Sequence, residues 1–515
     1  MKELTLSKEN IIKTDLLVFI SCLLLSFLFL LIATKSSPLY PFNDWADANI
    51  SFTMGKGMMN GKIPYRDLFD HKGPLFYLLF GVAYLISNTT FLGVFIFEVM
   101  SFSFFLFFSY KLFSLYLDRQ STLIALPLLA ASVLNLNSFV QGGSSEEFCL
   151  PLVTVGLYHL VAYYKDIYPK PMPKKWVIIN GLIAGIVLWI KFSLLGFWFG
   201  WMLSLFICLL LQKGIFLAIK SSFYFLSGMF ITTLPWMVYF GVHQSIREWI
   251  NSYFVINFTS YSKDTSIVSI IPSTIIGILS HVIENPIASG FMIFGFIVFL
   301  GYRKYSSNGF IKSSLILCFA FLSLSVFGGG RNYVYYFLIF STLMIFFYIV
   351  LFTILCEKFG RISAQNTLYV LFFTLIATFF YTLGFNHNIY MIDEEKGDLV
   401  QYKYASIINQ TKNATLLNYY VLDLGFYTTT GIVPNIRFFH NPNIEYSKYP
   451  LIMDEQNRYI EEKLVDYIVF QIPTSYDYKT IEIPYLDENY ELIEKEIQIN
   501  EGTEFYYFLY EIREQ

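Results

Sequence analysis

Charge is scarce in this chain. Asp, Glu, Lys and Arg make up 14% of its 515 residues, hydrophobic residues make up 55%, and the mean hydropathy is +0.53. That balance excludes a soluble globular protein, and with a net charge of only −3 no nucleic-acid partner is expected. Cysteine is also sparse. The five present, Cys22, Cys149, Cys208, Cys318 and Cys356, fall in or beside apolar runs, so neither a disulfide framework nor a zinc site is indicated. The GxxxxGK[ST] phosphate loop, the paired-histidine zinc motif and the GxSxG elbow are all missing, which removes the common nucleotide-binding and hydrolase signatures.

What the chain does have is long apolar runs. A helix crossing a hydrocarbon core of about 30 Å needs roughly 20 such residues, and about eleven segments approach that length: 15–34, 91–114, 121–139, 147–164, 176–190, 194–211, 221–240, 285–302, 312–327, 332–353 and 366–386. The first is as long as a true span and lacks a small-residue cleavage site, so it reads as a retained signal anchor. Lys191-Phe192-Ser193 divides two helices as a tight hairpin. Pro74–Ser87 is too short to cross, and its leading proline suits a helix N-terminus, so it reads as interfacial, as does 266–282. The fold class expected is a polytopic α-helical membrane protein with a small extracytoplasmic α/β domain at its C-terminus.

Counting lysines and arginines sets an expected orientation. With a cytoplasmic N-terminus, sixteen of the twenty-five basic residues before position 390 fall on the inner side. Of the nine outside, Lys35, Lys56, Lys62, Arg66 and Lys72 belong to one loop. This topology, that of a multi-pass plasma-membrane protein, puts the C-terminus outside. Residues 390–515 carry 22 acidic and 10 basic side chains, net −12, whereas residues 1–389 carry net +9. Two domains are therefore expected, 1–389 in the membrane and 390–515 outside it. Strand-like runs at 419–424, 465–471 and 505–510 alternate there with helical patterns at 398–411 and 450–464.

The loop behind the first span concentrates most of the outer charge. Between Asn43 and Pro74 stand Asp44, Asp47, Asp67 and Asp70, four lysine or arginine side chains, and His71. Ionisable residues gathered at a membrane face mark a functional site by default. A second acidic pair, Glu146-Glu147, precedes the fourth span and is expected on the same side. Carboxylates beside cations suit a reaction in which one carboxylate takes a proton from a hydroxyl while cations hold a phosphate leaving group. A lipid-linked sugar phosphate is the donor that fits a membrane interface. Arg331, after the triplet Gly328-Gly329-Gly330, is a ready phosphate ligand at a helix start.

The order of these residues resembles the GT-C superfamily of glycosyltransferases, in its bacterial family 39-like, dolichyl-phosphate-mannose-protein mannosyltransferase-like branch. The resemblance lies in Asp47 followed by Gly55-Lys56, in the turn Gly61-Lys62-Ile63-Pro64-Tyr65-Arg66-Asp67, and in Asp70-His71-Lys72-Gly73-Pro74. Glu146-Glu147, Lys191 and Arg331-Asn332-Tyr333-Val334-Tyr335-Tyr336 follow in the family's order, with Tyr335 standing where histidine is expected. The resemblance implies an inverting transfer from a polyprenyl-phosphate sugar to an acceptor hydroxyl of a cell-envelope glycan, glycolipid or protein. Asp47 is then the catalytic base, with Asp44 in reserve. Arg66, Lys72, Lys191 and Arg331 bind the donor phosphate, and Glu146, Glu147, Asp67, Asp70, His71 and Tyr335 orient acceptor or sugar. No metal ligand is assigned and no cofactor is obligatory, although a divalent cation is compatible with the chemistry. The rival classes are a polytopic flippase or transporter and a polysaccharide polymerase or ligase of envelope assembly. Neither midplane ionisable residues nor a repeat favours a transporter, and a polymerase or ligase places its large loop late among the spans.

Overall fold

The structure is a computed structural model that describes residues 8–263, 266–477, 482–500 and 502–513. It is mostly helical and falls into two compact units, one of residues 1–37, 95–233 and 266–389, the other of 38–94, 234–265 and 390–515. The loop behind the first span thus belongs to the same unit as the C-terminal module.

The helices in chain order are α1 (Lys8–Ala33), α2 (Ala46–Met59), α3 (Pro74–Ile86), α4 (Leu92–Phe113), α5 (Arg119–Leu134), α6 (Ser145–Ala162), α7 (Lys174–Ile190), α8 (Gly196–Lys213) and α9 (Ile215–Val242). Next come α10 (Ile246–Ile250), α11 (Ile270–Glu284), α12 (Pro286–Gly301), α13 (Gly309–Phe327), α14 (Met344–Phe359) and α15 (Ala364–Phe385), with Val334–Leu343 a tighter helical lead into α14. Each of the eleven expected spans is helical. Among the described residues eight helical stretches are long and apolar enough to cross a bilayer, or nine when α11 and α12, bent by 116° at their break, count as one. The difference is length. Helices α5 and α7 hold 16 and 17 residues, about 25 Å at 1.5 Å per residue, and α12 is one leg of the bent pair. The chain is a multi-pass membrane protein.

In the first unit, bulky rings fill the interior and small residues set the helix spacing. Trp198 and Trp201 of α8 are fully buried. At Gly200, α8 runs so close to α13 that a Cβ would lie 2.4 Å from the Leu317 carbonyl oxygen, the close approach that small residues allow between membrane helices. Lys191 separates α7 from α8 because its backbone is extended, at φ −155° and ψ 101°. The isolated His159 is a packed polar group, hydrogen-bonded to Asn180 at 2.9 Å and stacked on Trp176. All five cysteines are free thiols.

In the second unit the C-terminal module is a four-stranded sheet of order β1-β2-β4-β3, built from β1 (Leu416–Asn418), β2 (Tyr467–Pro473), β3 (Tyr490–Asn500) and β4 (Thr503–Ile512). Strand β1 is parallel to β2, and the other pairings are antiparallel. Helix α16 (Val400–Ile408) lies against β4, where the Tyr404 hydroxyl donates to the Tyr507 carbonyl at 2.9 Å. Two details depart from the sequence expectation. The stretch 419–424 is a turn, with Tyr420 at φ +60°, and the first strand lies just before it. Strand β3 is a charged edge strand whose alternation of Glu and Lys with exposed Leu492, Ile497 and Ile499 hides it from a search for apolar runs.

Helix α2 joins the loop to this module. Asn49, Thr53 and Lys56 recur at i, i+4 and i+7 and so share one face. Along it Thr428 Oγ1 donates to Asn49 Oδ1 at 2.9 Å, Thr53 Oγ1 donates to Asp423 Oδ2 at 2.7 Å, and Lys56 Nζ donates to the Tyr427 carbonyl at 2.6 Å. The opposite face meets α3. Gly55 contacts the Tyr77–Gly81 backbone, and Asn60 Nδ2 reaches the Tyr84 hydroxyl at 3.5 Å, so residue numbers rise together and the two helices run parallel. A Cβ at Gly55 would lie 2.3 Å from Gly81 N. Gly55→Ala should therefore lower stability by about 1–3 kcal/mol. Gly61→Ala, in open space at φ +83°, should cost about 1 kcal/mol through backbone strain alone. Thermal unfolding in detergent compares them, and an unshifted Gly55→Ala would contradict the tight crossing.

Candidate active site

Parallel packing of α2 on α3 brings the starts of the two helices together. Asp47 lies in the first turn of α2 and Lys72 just before Pro74, which opens α3. Lys72 Nζ stands 3.3 Å from Asp47 Oδ1 and 3.5 Å from the Asp47 carbonyl oxygen. Both side chains keep contact with solvent, at 21% for Asp47 and 19% for Lys72. The first N–H groups of a helix lack intrahelical acceptors, so two adjoining N-termini beside a lysine make a setting suited to a phosphate.

The Lys72 backbone is pinned from both sides. Its N–H donates to the Tyr77 hydroxyl at 2.8 Å, and its carbonyl accepts the Tyr65 hydroxyl at 2.7 Å. Tyr77 in turn donates to Asp70 Oδ2 at 2.8 Å. Asp70 is only 2% exposed, with His71 Nε2 at 4.0 Å from its other oxygen. Burial alone would raise the Asp70 carboxyl. Lys72 and His71, with His440 in the charged form it takes only in acid and the Tyr77 hydroxyl, outweigh it and hold Asp70 down at about 2. His440 is itself buried, which pushes it down to about 4 and keeps it neutral near pH 7.

The remaining loop charges shape the turn that carries Lys72. Asp67 Oδ2 accepts the Ile63 N–H at 2.8 Å, and Arg66 pairs with the same carboxylate through Nε and Nη2 at 2.8 and 3.0 Å. Burial works to raise Asp67, but these hydrogen bonds prevail and lower it. The third Arg66 nitrogen, Nη1, donates to the His243 carbonyl at 3.0 Å. Asp44 is half-buried, with Tyr507 in its electrostatic surroundings. Lys56 is wholly buried, and burial drives its ammonium down toward the neutral amine while raising its neighbour Asp423.

The other expected residues gather in the first unit. Buried Glu146 pairs with Lys191 and accepts the Ser145 hydroxyl at 2.8 Å. Lys191 Nζ lies over the rings of Tyr336 and Tyr335, 3.9 and 5.1 Å from their centres. Arg331 Nη1 reaches the Tyr333 hydroxyl at 3.5 Å, and the Tyr333 ring stacks on Tyr335. Glu147 closes a capping box at the start of α6, accepting from the Gly143 and Ser144 N–H groups at 3.1 and 3.2 Å. The sequence reading gave no role to Tyr65, Tyr77, His440 or Tyr336. Tyr65 and Tyr77 flank the charged motif and could have been suspected as its hydrogen-bond partners, Tyr336 closes the Arg331–Tyr336 segment, and nothing local marks His440.

Comparison with known proteins addresses the fold. ArnT from Cupriavidus metallidurans bound to undecaprenyl phosphate superposes with a TM-score of 0.60 at 10% identity, covering 96% of this chain and 97% of that one. Its apo state gives a TM-score of 0.59 at 11% identity over 97% and 98%. The fold is GT-C. This shared architecture, end to end in both chains, is the one the sequence motifs imply. The Archaeoglobus fulgidus oligosaccharyltransferase complexed with zinc and sulfate is a looser match, with a TM-score of 0.47 at 11% identity over 88% of this chain and 68% of that one. No protein-family model matches the chain, and no curated protein does.

The folded value of Asp70, about 2, lies below the ordinary aspartate value of about 3.9. Its stabilising contribution, on the order of 2 kcal/mol, is therefore full above that range and is lost as pH falls through about 2. The thermal-midpoint advantage of the wild type over Asp70→Asn should hold steady from about pH 7 to about pH 5 and shrink between about pH 4 and about pH 2. A gap that widened on acidification would contradict this electrostatic reading.

Proposed function

We propose that this chain is an integral-membrane glycosyltransferase that moves a sugar from a polyprenyl-phosphate donor to a hydroxyl of a cell-envelope glycan, glycolipid or protein on the outer face. The observation that carries the reading is the Asp47–Lys72 pair, 3.3 Å apart at the adjoining N-termini of α2 and α3. It is supported by the GT-C fold and by ArnT, which shares that fold and has been seen bound to undecaprenyl phosphate.

In the proposed step the acceptor oxygen attacks the anomeric carbon from the face opposite the phosphate, which inverts that centre. The bond from the anomeric carbon to the phosphate oxygen breaks, and its electron pair leaves with the lipid phosphate. Asp47 takes the acceptor proton as general base. Lys72 balances the charge that grows on the departing phosphate, aided by the helix N-termini. Asp44, in the same loop, remains the reserve base. Arg66 and Asp67 are assigned to holding the turn, because the Arg66 nitrogens are engaged by Asp67 and the His243 carbonyl. The Lys191–Glu146 pair with Arg331 and Tyr335 is proposed, within its own unit, as a group that binds lipid phosphate, and Glu147 as a helix cap. Among the described residues no three His, Cys, Asp or Glu side chains stand close enough to hold a metal ion, and the steps above use the chain's own groups. The proposed orientation has the N-terminus cytoplasmic and the C-terminal module outside.

Membranes containing wild type, Asp47→Asn or Lys72→Met, supplied with radiolabelled polyprenyl-phosphate sugars and a cell-envelope extract, test the reading. Wild type should label the extract, and both variants should fall by about 10²-fold or more while inserting normally. Equal transfer by Asp47→Asn would move the base elsewhere. An inserted wild type that transfers no sugar from any donor would overturn the transferase.

A further inference from the structure

Each residue from Phe69 to Lys72 is gripped by other residues of the second unit. The Phe69 N–H donates to the Arg437 carbonyl at 2.9 Å. Its ring stacks on Tyr449, 5.9 Å between centres and 16° from parallel, and packs on Phe438 at 5.1 Å. The Arg437 guanidinium lies over the same ring, 5.7 Å from its centre. Asp70 is held by Tyr77. The His71 carbonyl accepts Asn257 Nδ2 at 2.7 Å, and its imidazole lies 4.2 Å from the Tyr261 ring. Lys72 is fixed by Tyr77 and Tyr65.

The grip on Phe69 comes from the segment around Arg437–His440. That segment is itself anchored beside the first strand of the sheet. The Asn418 N–H donates to the Phe439 carbonyl at 3.1 Å, and the Asn441 N–H donates to the Val421 carbonyl at 2.7 Å. The C-terminal module therefore reaches the charged loop through backbone and aromatic contacts.

We propose that the C-terminal module is a positioning element of the transfer centre, with Arg437 fixing Phe69 at the head of the Phe69–Lys72 stretch and, through Lys72, the orientation of Asp47. The inference rests on the transferase reading and extends it to a module whose composition suggests only a solvated surface. A displacement of about 1 Å in a reacting group costs roughly 10²-fold in rate. A lysine on a loop of this length holds its place only if the loop is gripped from outside. Arg437 touches neither donor nor acceptor in this scheme, so it is a positioning residue.

The test reads Lys72 directly. Intact protein in membranes is treated with a small amine-acylating reagent, and modification of Lys72 and of buried Lys56 is quantified by mass spectrometry for wild type, Arg437→Met and the conservative Arg437→Lys. Lys72 labelling should rise about threefold or more in Arg437→Met and stay nearer wild type in Arg437→Lys, which keeps a cation for the Phe69 ring, with Lys56 protected throughout. Sugar transfer should fall in the same order, and Arg437→Met should add no further loss in a Lys72→Met background. Where Lys56 becomes reactive in Arg437→Met, Arg437→Gln decides by the same criterion. Unchanged Lys72 labelling in folded variants, or raised labelling with undiminished transfer, would overturn the proposal. Labelling needs no donor, so a wild type that transfers no sugar would remove the transferase reading while the positioning result stands on its own.

Discussion

Asp47 and Lys72 are 25 residues apart in the chain, and one steric condition lets them meet. At Gly55 and Gly81 the backbones of α2 and α3 are in contact, with no room for a side chain on either. Two helices joined by a short loop ordinarily run antiparallel. Here residues 60–73 return along the pair, so the helices run parallel and their N-terminal ends adjoin. A methyl group at the crossing would push the helices apart by more than the slack in a 3.3 Å ion pair. The arrangement of charge in the loop therefore depends on an uncharged contact two turns away.

The same helix shows how a scarce charge can serve structure. Lys56 follows Gly55 on α2 and is entirely buried. An ammonium group out of water costs several kcal/mol unless it is paired and hydrogen-bonded. The Tyr427 carbonyl and Asp423 supply that compensation, and Asp423 is further satisfied by Thr53, Asn418 and the Gly425 N–H. Removing any one partner would strand the others in a region of low dielectric. This polar joint fixes the face of α2 opposite Gly55, so the helix is set between α3 and the C-terminal module by a steric contact on one side and a saturated network on the other.

Much of this was legible in the sequence, and the limits were physical. Apolar length reveals helices, so all eleven expected spans are helical, but it does not reveal whether a 16-residue helix such as α5 crosses or stops short. Charge density marked the loop, and motif order brought out Asp47, Lys72, Glu146 and Lys191, which the structure joins as the two ion pairs Asp47–Lys72 and Glu146–Lys191. Roles were harder to read, because an ionisable side chain looks the same whether it faces substrate or its own backbone. Arg66 and Asp67 close a turn, and Glu147 caps α6. His440 lies 370 residues beyond Asp70 and carries no local signal. Strand β3 escaped because an edge strand needs no apolar run when one side faces water.

The two aspartates that bracket Lys72 illustrate how environment divides chemically identical groups. Asp70 is sealed at 2% exposure, bound to Tyr77 and surrounded by positive or polar neighbours that hold it at about 2. A carboxylate so stabilised is a poor proton acceptor near neutral pH, and an acceptor hydroxyl has no path to it. Its charge is instead a fixed element that keeps the Tyr77 hydroxyl oriented, and Tyr77 holds the Lys72 N–H. Asp47 keeps an exposed edge at 21% and meets Lys72 at 3.3 Å. A general base must come within hydrogen-bond reach of the proton it removes. Of the two, Asp47 alone keeps the open edge that the proposed base needs, and the burial that closes Asp70 off is what makes it a rigid support for the cation beside Asp47.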